Sequence, residues 1–170
     1  LGITSFSNYD LSEIRAFIDW TPFFNTWMLK GKYPAIFENS IVGVEAKKLF
    51  DDAQEILDEI IDQKQLEARA VVGIFPAKSS GDDVNVFHEN GELKTQFHFL
   101  RQQGKKASGI PNISLADFVS PNGDYIGGFA VTAGIGIEKL IAEHKKNHDD
   151  YKEIMVKALA DRLAEAFAEM

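Results

Sequence analysis

One carboxylate sits inside the most aromatic stretch of the chain. Asp19 lies in Ile18-Asp19-Trp20-Thr21-Pro22-Phe23-Phe24-Asn25-Thr26-Trp27, which holds both tryptophans and two phenylalanines. A carboxylate flanked by large aromatic surfaces can stay charged and accept hydrogen bonds from a cationic ligand. Thr21-Pro22 reads as a helix start, with Thr as the N-cap and Pro at the first helical position. That would set Asp19 at the positive end of a helix. The same residues carry a plainer reading. Asp19 would be a second capping group and the aromatics would be core, because aromatics at helical spacing usually pack inward.

Other chemistry is thin. The four histidines, His88, His98, His144 and His148, show no metal-ligand spacing. His88 and His98 straddle a predicted hairpin and could approach each other across it. The absence of cysteine excludes disulfides, thiolate metal sites and a cysteine nucleophile. There is no Gly-x-Ser-x-Gly elbow and no Walker-type loop, and Gly127-Gly128 and Gly134-x-Gly136 miss the dinucleotide spacing. No catalytic residue and no metal ligand is therefore assigned; the pattern is that of a binding domain. The net charge of −8, with no basic run, argues against nucleic acid and anionic membranes as partners. No apolar run approaches the roughly 20 residues that span a bilayer, and no signal-peptide pattern opens the chain. A cysteine-free composition fits a cytoplasmic protein.

The elements that must position Asp19 can be read from periodicity and turn chemistry. The 170 residues suffice for a single domain over 1–170. Asp10-Leu11-Ser12-Glu13 has capping-box spacing before a short helix over Leu11–Phe17. The aromatic stretch is helical through Leu29, closed by Gly31-Lys32-Tyr33-Pro34, and Pro34–Phe37 connects onward. A long helix is expected over Gly43–Gln65, with Val44, Leu49, Ala53, Ile56, Leu57, Ile60 and Ile61 as its apolar stripe and an acidic outer face. Ala70–Phe75 is a continuously apolar run stopped by Pro76, which predicts a central strand buried on both faces, with Gly73 leaving room for a backbone or ligand. Val84–Phe87 and Leu93–Phe99 flank Asn90-Gly91, a hairpin signal that makes the pair antiparallel. Asp124–Thr132 is another strand and Ile137–Lys146 a helix. An Asp of His148-Asp149-Asp150 caps the last helix, whose stripe runs from Tyr151 and Ile154 to Phe167. By pattern alone Glu165 is an ordinary residue at the margin of that stripe. The final residues carry neither Gly nor Pro, so the polypeptide is expected to stop inside a helix, as a piece of something longer.

Several of these segments together resemble a known family. They are Ile18–Phe24, Gly31-Lys32-Tyr33-Pro34, Val42-Gly43-Val44-Glu45-Ala46, Val72–Ala77, Leu100-Arg101-Gln102-Gln103, Leu115–Val119 and His148 through Glu169. The chain is similar, over nearly its whole length, to the activation domain of cobalamin-dependent methionine synthase.

The resemblance implies an α+β fold, with a curved, mainly antiparallel sheet and helices around it. It implies an S-adenosylmethionine-binding module within a larger methyltransferase. There, cobalamin held by a neighbouring domain passes a methyl from methyltetrahydrofolate to homocysteine. Oxidation to cob(II)alamin stalls that cycle. The activation domain then presents S-adenosylmethionine, and one electron, from flavodoxin in many bacteria, accompanies the methyl transfer that restores the cofactor. Residue by residue, Asp19 matches the family aspartate at the ligand's methionine end, and Glu165 a family glutamate near the same ligand. The family's Arg-x-x-x-Gly-Tyr-Pro segment and a later tyrosine pair are absent here, so a partial ligand site is expected, and the fragment alone is expected to be inactive. The alternative is a docking fragment that meets the cobalamin domain or flavodoxin without holding ligand. A stand-alone sensor of another small molecule is the third reading.

Overall fold

A computed structural model describes residues 1–170. The strands are β1 (Gly2–Tyr9), β2 (Glu67–Ser80), β3 (Asp83–Phe87), β4 (Leu93–His98) and β5 (Asp124–Ile135). The α-helices are α1 (Leu11–Arg15), α2 (Trp20–Thr26), α3 (Gly43–Asp62), α4 (Ile137–Lys146) and α5 (Asp150–Glu169), with 3-10 turns at Ala35–Glu38 and Leu115–Phe118. The sheet order is β1-β2-β3-β4, with β5 also paired to β2. The fold is α+β with an open antiparallel sheet, as expected. β2 to β3 and β3 to β4 are antiparallel ladders.

The chain divides into two compact units. One, the hairpin unit, is Leu1–Ser5 with Val71–Phe129; the other, the helical unit, is Phe6–Ala70 with Ala130–Met170.

In the hairpin unit, Asn90-Gly91 turns the chain as its sequence predicts. Gly91 has φ +86°, a conformation glycine adopts without strain, and the His88 N–H donates to Glu92 O at 2.8 Å. His88 and His98 do not meet. The register sets His98 opposite Asp83, at the far end of the ladder from the turn, where its Nδ1 lies 2.8 Å from Asp83 Oδ1. The central position of β2 is borne out, but burial on both faces is not: Val71 and Ile74 are exposed, while Ala70 and Gly73 are buried. Nor does Pro76 end the strand. The ladder to β3 begins at Ala77, so no rung of that pair needs the missing N–H. The space above Gly73 is taken by the Phe75 ring, which a Cβ would meet at 2.6 Å, rather than by a backbone or ligand. The core here is small, consisting of Ala77, Val84, Val86 and Ala116, flanked by Phe75, Phe99, Val119 and Ile126. Arg101 ties the long loop down. Its guanidinium donates to Asp82 Oδ1, to both oxygens of Asp117 and to Asn112 O, at 2.6–2.9 Å. Ser114 and Asp117 form a capping box on the second 3-10 turn.

The helical unit is built around α5, which packs against α1, α2, α3 and α4. Met155, Val156, Ala158, Leu159, Ala160, Leu163, Ala166 and Phe167 are buried, so its apolar surface is wider than a single stripe. Tyr151 and Ile154, expected within that stripe, are exposed instead. Lys157, Asp161 and Glu165, four residues apart, form the solvent-facing row of this helix. α3 buries Ala46, Leu49, Ala53, Leu57 and Ile60. Val44 faces solvent because Gly43 faces inward, where any Cβ would strike Phe37 O at 2.4 Å.

Candidate functional site

Asp19 is the N-cap of α2. Its backbone is extended (φ −77°, ψ 113°) and its Oδ1 accepts the Thr21 N–H at 2.9 Å. The helix therefore starts two residues earlier than the Thr-Pro pair suggested. Thr21 and Pro22 occupy its second and third positions, and Pro22 still falls among the first residues, whose N–H groups have no intrahelical partner. The Thr21 side chain, not needed as a cap, accepts the Tyr33 N–H on its Oγ1 at 3.2 Å. One threonine thus links the carboxylate that caps α2 to the Gly31-Lys32-Tyr33-Pro34 segment.

Beneath Asp19, the aromatics form a connected core. Trp20, Phe23 and Phe24 are buried. Trp20 meets Phe23 and Phe50 edge-on, Phe23 meets Phe24, and Phe24 and Phe50 both meet Phe37, at centroid distances of 4.9–5.9 Å. Tyr33 stacks on Phe50 at 5.5 Å with its ring partly exposed. The plainer reading of this stretch therefore holds for the aromatics, and Asp19 does serve as a cap. Capping uses only one carboxylate oxygen. No protein donor reaches Oδ2, and Asp19 is exposed, so that oxygen remains open to a donor from outside.

Glu165 lies on the exposed row of α5, about one turn before the helix ends. Both of its oxygens accept from Arg162, Nη1 to Oε2 and Nη2 to Oε1, the second at 2.9 Å. Arg162 Nη2 also donates to Asp161 Oδ2 at 2.7 Å. Arg162 is the one buried ionisable side chain, 9% exposed against 61% for Glu165. Burial pulls its pKa down, and the two carboxylates more than offset that, so it stays above the usual arginine value. Sequence reading missed Arg162. An arginine three residues before a glutamate on a helix is an ordinary surface pair unless its own position proves to be inward.

Asp19 and Glu165 stand on elements that pack directly, α2 and α5, and no hydrogen bond joins them. Each carboxylate is anchored by a neighbour and keeps lone pairs free, Asp19 next to the aromatic stretch and Glu165 on the exposed row of α5. An exposed carboxylate with free lone pairs suits an ammonium or another cation. No cluster of three or more His, Asp or Glu side chains forms a metal site. No helix is long and apolar enough to cross a membrane.

Residues 10–170 match the family model described as vitamin B12 dependent methionine synthase, activation domain. The chain belongs to this family. Among solved structures, the crystal structure of the MetH reactivation domain bound to AdoHcy is 49% identical, with a TM-score of 0.94. The match covers 99% of this chain and 53% of that one, so this chain spans about half the length of its relative. Membership bears out the family resemblance seen in the sequence, and the relative bears out the α+β fold.

Proposed function

We propose that this chain supplies an S-adenosylmethionine-binding face to a cobalamin-dependent methionine synthase, with Asp19 and Glu165 as ligand-contacting carboxylates. It presents the methyl donor to cobalamin held in a neighbouring domain, in the reductive methylation that returns cob(II)alamin to use. Flavodoxin, or another one-electron donor, is the external partner. The reading is supported by membership of the activation-domain family and by a 49% identical relative whose structure contains AdoHcy. The observation that carries it is the unused Oδ2 of Asp19, exposed at the start of α2 next to the buried Trp20. A ligand ammonium bonded there gains a charge-assisted hydrogen bond without displacing the cap.

Asp19→Asn separates binding from folding, since Asn caps helices about as well as Asp. Losing the charge should cost roughly 1.5–3 kcal/mol of ligand binding, or about 10- to 150-fold in affinity. In the complete enzyme, reactivation assayed from cob(II)alamin should fall while turnover assayed from methylcobalamin is kept. An equal loss in both assays contradicts the assignment.

A further inference from the structure

Arg162 is an arginine whose charge points outward although its side chain is buried. Its stem lies inside the helical unit, and its guanidinium closes a two-point fork on Glu165. Asp161, 70% exposed, takes a further N–H from Nη2. A glutamate on a helix surface normally samples several rotamers. Here both oxygens are gripped by a buried, rotamer-restricted partner, and a fork of this kind fixes the plane of the carboxylate as well as its position.

We propose that Arg162 is a positioning residue for ligand binding: it presents Glu165 in one orientation to S-adenosylmethionine. The inference rests on the reading that Glu165 contacts the ligand. Arg162 does not touch the ligand itself. Its fork uses one lone pair on each oxygen of Glu165, and the outward pair on each stays available to a donor from solvent. The ligand therefore meets a carboxylate that is already ordered, and binding does not bear the entropy of ordering it.

The test is a double-mutant cycle in S-adenosylmethionine affinity on the full-length protein. Arg162→Lys keeps the charge and most of the stem but cannot make the fork. Arg162→Lys and Glu165→Gln should each weaken binding by about tenfold, and the double variant should bind no more weakly than Glu165→Gln alone. Asp161→Asn should leave affinity unchanged, because it touches only the third bond of Arg162. Melting temperatures run beside the titrations read any structural role, which would move stability without this non-additivity. Wild-type affinity in Arg162→Lys, or losses that multiply in the double variant, overturns the inference. Should Arg162→Lys fail to fold, Glu165→Asp takes its place. It shortens the exposed partner out of the fork's reach and should lose about tenfold, and unchanged affinity there overturns the inference as well. Binding that Asp19→Asn weakens and Arg162→Lys does not removes the role of Arg162 alone. A wild-type protein that binds no S-adenosylmethionine removes the proposed function itself.

Discussion

The two compact units are held by different chemistry. The helical unit buries Trp20, Phe23, Phe24, Met155, Leu159 and Leu163, large side chains packed around one central helix. The hairpin unit buries two alanines and two valines, and leaves Leu93, Leu100, Leu115 and Phe118 exposed. Its long loop is fastened instead by the Arg101 guanidinium between Asp82 and Asp117. Apolar burial is non-directional and scales with area, whereas a forked guanidinium fixes geometry at modest net energy. The carboxylates assigned to the ligand both lie in the unit with the larger core, where rigid elements hold them in place.

Core truncations should show this contrast most strongly. Phe24→Ala in the helical unit should cost about 3–5 kcal/mol, the usual range for a fully buried phenylalanine. Val86→Ala in the hairpin unit should cost about 2 kcal/mol, two methylene-sized groups and a small cavity. Chemical denaturation of both variants reads the difference, and equal losses would mean that the small core matters as much as the large one. Next in size is Thr21→Val. It removes the acceptor of the Tyr33 N–H and should cost about 1 kcal/mol, seen as faster amide exchange at Tyr33. Unchanged exchange there would show that the Gly31–Pro34 segment is held by its aromatic contacts alone. The smallest effect is set by acid. The Arg101 guanidinium, with help from the Ser114 N–H, holds the Asp117 carboxyl down from 3.8 to about 2. A depressed carboxyl stabilises fully above its unfolded pKa and loses that contribution as pH falls toward the folded value. Protection of the loop around Ser114–Phe118 should therefore fade between about pH 4 and 2, followed by amide exchange across that range. Loop protection that does not change with pH would remove Asp117 from its role.

Much of this architecture was legible in the sequence. Asn90-Gly91 fixed its hairpin because the turn demands positive φ, and α3, α4 and α5 began where their periodicity and caps placed them. The failures have specific causes. Pro76 reads as a strand stop only if its N–H is needed, and it lies just outside the β3 ladder. Val44 fits the stripe by spacing, but the tight seat of Gly43 turns that position to solvent. The α2 cap slipped by two residues because Asp19 and Thr21 are both good caps, and only the geometry shows which one accepts a backbone N–H of the helix. For the site, Asp19 was suggested by its aromatic surroundings, whereas Glu165 came from family resemblance alone. The burial of Arg162 follows from α5 being surrounded on most sides, which local periodicity does not report.

The central claim is that Asp19 binds a cation-bearing ligand as well as capping a helix. Equilibrium titration of S-adenosylmethionine into the full-length protein and its Asp19→Asn variant tests it most directly, with amide spectra confirming that both are folded. The account predicts affinity about 10- to 150-fold weaker in the variant, with α2 intact. Affinity equal to wild type in a folded Asp19→Asn protein would contradict it, leaving Asp19 as a cap and nothing more.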